Sequence, residues 1–294
     1  MQRAKLSTGV ELDYIDEGPR DAPVLIFLHG FPESHRTWRH QIRHFADRFR
    51  CIAPDQRGYR GSSKPQEVEA YTPDKLIGDI FALADVCGVD KFTIVGHDWG
   101  GAIAWGVALM GQMNGRVTRA VIANAPHPAV FQKVLIENDE QRAASQYIRA
   151  FRDTDNDQLV RDHGLGAILL KAIKWDKPAA MEPEIRDAML ADWQDRDAAA
   201  AMLNWYRASP VNVPAMGEDA GTARPLSEFP KLTIPTLVVW AIEDIALPAC
   251  NLDGLDEVVN DLTVVRVSGC GHFVPWEAPD QVNAAMDEFL ARTV

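Results

Sequence analysis

Apolar residues run almost unbroken through the first strand-like stretches of the chain. "APVLIFLHG" (22–30) is closed by a glycine, and "RCIAPDQRG" (50–58) repeats the form. Continuous apolar runs of this length suit strands buried on both faces. "GVELDYIDEG" (9–18) reads as an earlier strand running into a turn, and "KFTIV" (91–95) and "RVTRAVIANA" (116–125) as two later ones. Between them "TPDKLIGDIFALADVCGV" (72–89) has helical periodicity, with Thr72 as the expected cap and Lys75 in the box position where Glu would serve better. Repeated alternation of strand and helix implies a mainly parallel sheet with helices on both faces.

The rhythm changes near residue 130. From Val130 to Phe229 no stretch reads as a buried strand. "DEQRAASQYIRAF" (139–151), "LGAILLKAIKW" (165–175), "EIRDAMLADW" (184–193) and "DAAAAMLNWYRA" (197–208) all read as helices. The proline-rich "SPVNVPAMGEDAGTARPL" (209–226) reads as a return connection. Strand-like runs resume with "PTLVVWAI" (235–242) and "LTVVRV" (262–267), and "PDQVNAAMDEFLART" (279–293) reads as a last helix. The pattern predicts one α/β core, residues 1–129 and 230–294, interrupted by a helical domain over 130–229.

Composition adds little to this and removes some partners. With 294 residues, 47% hydrophobic, the chain has length for a large core plus one insertion. A formal charge of −12 argues against nucleic acid or an anionic membrane as partner. No C-x-x-C pair joins Cys51, Cys87, Cys250 and Cys270, so neither zinc nor a redox motif is expected. The N-terminal residues lack the apolar core of a signal peptide, and no apolar run is long enough to span a bilayer. A cytoplasmic protein with reduced thiols, binding a small molecule as monomer or homodimer, is the expectation. His40 and His44 stand four apart, but "HQIRH" lacks the glutamate of a zinc-binding H-E-x-x-H and reads as a charged surface helix. Neither a phosphate loop nor a dinucleotide fingerprint is present, so no cofactor and no metal are expected.

Open parallel sheets place ligands at the carboxyl ends of their strands. The polar residues there are His29, Asp55, Asp98, Glu243 with Asp244, and His272. Asp98 lies in "GHDWGG" (96–101), between a strand and an alanine- and glycine-rich helix, where the G-x-S-x-G turn of many hydrolases presents a serine. An acid, then a second acid, then the histidine of "SGCGHFVPWEAP" (268–279) keeps the chain order of such a triad with its first member changed. A carboxylate is too good a leaving group to hold an acyl carbon. On an sp³ carbon bearing a strained ether or a halide it forms a stable alkyl ester, which water activated by histidine cleaves at the aspartate's own carbonyl. The backbone N–H groups of Trp99 and of Phe31, in "HGFP", are placed to hold the oxyanion. Epoxide opening and carbon–halogen cleavage both fit. An epoxide oxygen needs a proton donor, and tyrosine is a neutral one; Tyr147 and Tyr206 lie in the helical insertion.

At these residues the sequence resembles the α/β-hydrolase-fold epoxide hydrolases, over nearly its whole length. The matching segments are "HGFPESHRTWRHQI", "APDQRGYRGSSKP", "GHDWGG", "NAPHP", "SQYIRAF", "NWYRASP" and "GCGHFVPWEAP", in that order. The resemblance implies an α/β-hydrolase fold with an inserted cap. It implies Asp98 as nucleophile, His272 as base, and Tyr147 and Tyr206 as paired donors to the ring oxygen. In the family's G-x-x-D segment, here "AIED" (241–244), it makes Asp244 the orienting acid and Glu243 the fallback. Ala241 in place of glycine and Arg60 in "GYRGSS" depart from the family pattern. Haloalkane dehalogenases share the aspartate turn but carry Asn where this chain has Phe31, and fluoroacetate dehalogenases carry Arg where it has Trp99. A dehalogenase is therefore the alternative, and a non-catalytic binder on the same scaffold a third. Phe31, Trp99, Ile148, Trp175 and Leu203 are the expected pocket wall, suited to an aryl or alkyl epoxide.

Overall fold

The computed structural model describes residues 1–173 and 181–292; Trp175 lies outside them. The described residues form one eight-stranded sheet: β1 (Gln2–Lys5), β2 (Glu11–Glu17), β3 (Val24–Leu28), β4 (Arg50–Pro54), β5 (Phe92–His97), β6 (Val117–Ala123), β7 (Thr236–Ala241) and β8 (Leu262–Val267). Their spatial order is β1-β2-β4-β3-β5-β6-β7-β8, antiparallel across the first two pairings and parallel from β4 onward. β1, absent from the sequence reading, buries only Ala4 among its four residues, so its hydrophobic signal is one side chain.

The unbroken apolar runs become strands covered on both faces. In β3, Leu25 and Phe27 enter one core cluster while Ile26 and Leu28 enter the other. Helices α1 (Arg39–Phe45), α2 (Pro73–Val86) and α3 (Asp98–Asn114) follow in turn, each after its strand. Thr72 stands at the N-cap of α2, but its hydroxyl turns to the Glu69 carbonyl at 3.3 Å and does not cap the helix.

Between β6 and β7 the described residues hold helices: α4 (Pro128–Glu137), α5 (Asp139–Ala144), α6 (Gln146–Arg152), α7 (Asp157–His163), α8 (Leu165–Ile173), α9 (Pro183–Asp192) and α10 (Arg196–Ala208). The stretch read as one helix over 139–151 is two, because the chain bends at Ser145. After the sheet resumes come α11 (Leu255–Val258), α12 (Val274–Glu277) and α13 (Pro279–Leu290). No described helix is long and apolar enough to cross a membrane. His40 is half-buried beside Glu182; burial first, then neighbouring Arg39, lowers its pKa, so it does not carry the charge expected of it.

Candidate active site

The turn after β5 puts Asp98 at the first position of α3 with φ +50°, a left-handed conformation that a non-glycine residue holds at a cost of order 1–3 kcal/mol. The sequence makes room for it. A Cβ on Gly96 would lie 2.4 Å from the Gly100 carbonyl oxygen, and a Cβ on Gly30 2.5 Å from Asp98 Oδ1. Glycine at both sites lets the turn close and lets the loop after β3 approach the carboxylate. That loop delivers the Phe31 N–H to Asp98 Oδ1 at 2.6 Å.

Oδ2, the other oxygen, faces His272 Nε2 at 3.4 Å. His272 Nδ1 is 2.7 Å from Asp244 Oδ2. Asp244 is buried and fully engaged: Oδ1 accepts from the Ala246 and Leu247 N–H groups at 2.8 and 3.0 Å, and Oδ2 also accepts from Asn124 Nδ2 at 2.7 Å. Glu243, its neighbour, is exposed and accepts from the Gly269 N–H, away from the imidazole. Ala241 closes β7 as ordinary strand, so the loop forms without a glycine there.

Electrostatics follow from this geometry. Burial works against ionising Asp98, but His272, His97 and the Trp99 N–H outweigh it and hold the carboxyl below the usual Asp range. Burial likewise works against charging His272, yet Asp244 and Asp98 together push its pKa well above the ordinary histidine value. Beneath them lies a second buried acid. Glu33 accepts from Trp276 Nε1 at 2.8 Å, and its other oxygen stands 3.7 Å from His97 Nδ1. Burial pushes Glu33 up to about 7 and His97 down to about 4. His97 Nε2 in turn faces the His272 carbonyl at 2.8 Å.

Opposite the carboxylate the insertion supplies the two tyrosines. Tyr147 on α6 and Tyr206 on α10 have ring centroids 6.1 Å apart. Tyr206 is wedged edge-on among Trp99 (5.0 Å), Phe31 (5.0 Å) and Phe151 (4.9 Å). Burial first, and the Asp98 charge among the further causes, raise both phenols above their usual value, so both keep their protons at neutral pH. The two tyrosines, Asp98 and Trp99 line one cavity, partly open to solvent, whose remaining wall is mainly apolar and includes Ile148 and Phe131.

The expected pocket wall needs two corrections. Leu203 does not line the cavity: α10 is buried around nearly its whole surface, and Leu203 packs into the core while Tyr206, three residues on, reaches the open space. Phe31 contributes its backbone N–H, but its ring packs behind Tyr206 and Phe151 and is not part of the lining. Of the other strand-end residues, His29 is buried and accepts from the Gln56 N–H at 3.0 Å, and Asp55 binds His35 and Arg60. Asn124 was missed by sequence reasoning. It is a polar residue directly after β6, and the rule that flagged Asp98 and Asp244 flags it too. Among the described residues no cluster of His, Cys, Asp or Glu suits a metal ion.

Comparison with known proteins agrees with the architecture. Residues 23–279 match the alpha/beta hydrolase fold family. A solved structure described as one of the novel epoxide hydrolases of the alpha/beta hydrolase superfamily in metagenomes from hot environments is 68% identical. It superposes with a TM-score of 0.95 and covers 99% of this chain and 98% of its own. A mutant of an epoxide hydrolase from Bacillus megaterium, complexed with its naphthyloxy propanediol product, is 31% identical with a TM-score of 0.87, over 99% of this chain and all of the other. Epoxide hydrolase 1 of Caenorhabditis elegans is 30% identical over 96% of this chain and 68% of its own length.

Proposed function

The chain belongs to the α/β-hydrolase fold family and, within it, to the epoxide hydrolases, and from that premise we propose that it converts an epoxide and water to a vicinal diol through an ester on Asp98. One observation carries the residue assignment. The two oxygens of a single carboxylate are already differentiated, Oδ1 by the Phe31 N–H at 2.6 Å and Oδ2 by His272 Nε2 at 3.4 Å, in a residue that lines the cavity.

In the first step Asp98 Oδ2 attacks an epoxide carbon and that carbon's bond to the ring oxygen breaks. Tyr147 and Tyr206 hydrogen-bond the departing alkoxide; one phenol gives it a proton and recovers one from solvent, which also takes the proton that His272 releases. Their raised pKa keeps the phenols protonated for this role. Esterification then removes the charge on Asp98. The anion that helped hold a proton on His272 is gone, and the imidazole, oriented by Asp244, becomes a base in time for the second step. It takes a proton from water. The hydroxide attacks Asp98 Cγ, negative charge gathers on Oδ1 at the N–H groups of Phe31 and Trp99, the Cγ–O bond to the alkyl group breaks, and the leaving oxygen takes a proton from the His272 imidazolium, which the new acid on Asp98 replaces as it returns to carboxylate.

Residues 130–229 act in this reading as a cap domain over a core of 1–129 and 230–294. The apolar lining favours aryl or alkyl epoxides, in keeping with the aryloxy diol bound by the Bacillus megaterium relative. Single turnover in ¹⁸O-water with enzyme in excess tests the scheme. The expected first diol is unlabelled, with ¹⁸O appearing in Asp98 by peptide mass spectrometry. Label delivered straight into that diol overturns it.

A further inference from the structure

The loop that offers the Phe31 N–H to Asp98 is not held by the core alone. Trp193, buried at the end of α9, donates its indole N–H to the Pro32 carbonyl at 2.9 Å across 161 positions of sequence. Within the loop, the Glu33 N–H closes onto the Gly30 carbonyl at 3.1 Å, so Phe31 and Pro32 form the corner of a tight turn whose outer carbonyl is gripped by the insertion. Asp192, one residue earlier, binds Arg36 Nη1 at 2.7 Å, on the short helical turn His35–Trp38 that continues the same loop. Asp192 also pairs with Arg60 at 3.2 Å; Arg60 binds Asp55 at 2.7 Å; and Asp55 accepts from the His35 N–H and Nδ1 at 3.0 and 2.9 Å. The ring of contacts runs from α9 through the core and back to the loop. Arg60 itself sits at φ +47°, a left-handed conformation uncommon for a non-glycine residue.

We infer that Trp193 and Asp192 are positioning residues for the oxyanion-holding N–H of Phe31, so that the insertion sets the hydrolytic half of the reaction as well as supplying the tyrosines. The inference rests on the covalent scheme above. The two half-reactions use the Phe31 N–H unequally. During attack on the epoxide, Oδ1 carries a share of a carboxylate charge that fades as the ester forms. During hydrolysis the same oxygen gathers a full negative charge. An N–H displaced by a fraction of an ångström therefore slows ester breakdown more than ester formation.

The test is rapid acid quench with intact-protein mass spectrometry on a styrene oxide turnover, following the alkyl-enzyme as it forms and decays. In Trp193→Phe, which keeps a ring and loses the N–H, ester decay is expected to slow about tenfold while formation stays within about threefold. Asp192→Asn is expected to shift the same step by a smaller factor, and it carries the test if Trp193→Phe does not fold. Asp187→Asn breaks an exposed pair with neighbouring Arg186 on α9, away from the turn. It is expected to leave ester decay at the wild-type rate. Decay within twofold of wild type in both Trp193→Phe and Asp192→Asn overturns the inference. So does a parallel fall of formation and decay, or an Asp187→Asn enzyme that shows the same slow decay. A wild-type enzyme that never forms the ester rejects the covalent scheme itself, whatever Trp193 does.

Discussion

The core and the insertion hold their halves of the site by different means. Asp98 and Asp244 are fixed by backbone N–H groups and by His272 and Asn124, at hydrogen-bond distances of 2.6 to 3.0 Å. Tyr147 and Tyr206 are placed by edge-on ring packing at centroid distances of 4.9 to 6.1 Å. Hydrogen bonds fix direction, and here they also fix charge state. Ring packing fixes the position of the rings, and each phenol has a hydrogen-bonding neighbour, Tyr206 for Tyr147 and Trp99 for Tyr206. In the proposed scheme the core hosts the groups that become covalently bonded or charged, and the insertion hosts those that hydrogen-bond the departing oxygen.

The largest effect should come from removing one member of each half. Asp98→Ala is expected to abolish diol formation, a loss beyond about 10⁴-fold, because no other group supplies a nucleophile. Tyr147→Phe and Tyr206→Phe should each lower kcat/KM by about 10- to 100-fold, and the double variant by about 10³-fold or more. Chromatographic diol assays decide this. A double variant as active as either single one would break the view of the two phenols as independent donors.

A smaller, pH-resolved effect separates the two halves without mutation. Asp98 is held below the usual carboxylate range, so the acid limb of kcat/KM should lie below that of an ordinary aspartate. The tyrosines are raised, so no alkaline loss of kcat/KM is expected below about pH 10. The acid limb of kcat reports His272 after Asp98 is esterified, and it should lie at higher pH than that of kcat/KM. Coincident limbs, measured by stopped-flow and steady-state assays, would contradict the loss of the Asp98 charge as the trigger for base catalysis.

The smallest effect is on stability. Glu33 is raised to about 7 in the folded protein against an ordinary 4.5. A group raised on folding contributes stability that is full below its unfolded pKa and is lost as pH rises through the folded one. Glu33→Gln does not titrate and keeps the acceptor for Trp276. Its melting temperature relative to wild type should therefore rise by about 3 °C or more between pH 5 and pH 8, by calorimetry. An unchanged difference would show that the buried acid is not carrying a titratable burden.

How much of this the sequence disclosed follows the same divide. The Asp98 turn is local: a strand, a glycine, the acid and a helix within a dozen residues, so its chemistry and its placement are both written in one stretch. His272 and Asp244 were legible as polar residues at strand ends, and Asn124 satisfied that rule without being noticed. The tyrosines are two among five, and only the resemblance to the epoxide hydrolases singled them out. Leu203 is not wall because helical spacing says which residues are buried, not which face a cavity; Phe31 is not because a loop residue that brings its N–H to the site need not turn its ring there. Trp193 and Asp192 were out of reach for a plainer reason. Their partners lie more than 130 positions away, at Pro32 and Arg60, and no periodicity connects them.

The strand order has a consequence for how the chain is made. β7 pairs with β6, yet roughly a hundred residues of insertion separate them. At ~5–20 residues per second of synthesis, β6 waits several seconds as the open edge of a growing sheet. An open edge of apolar strand is a template for any other strand that drifts past. The same insertion that completes the finished pocket thus leaves the newborn chain, for those seconds, open to mispairing.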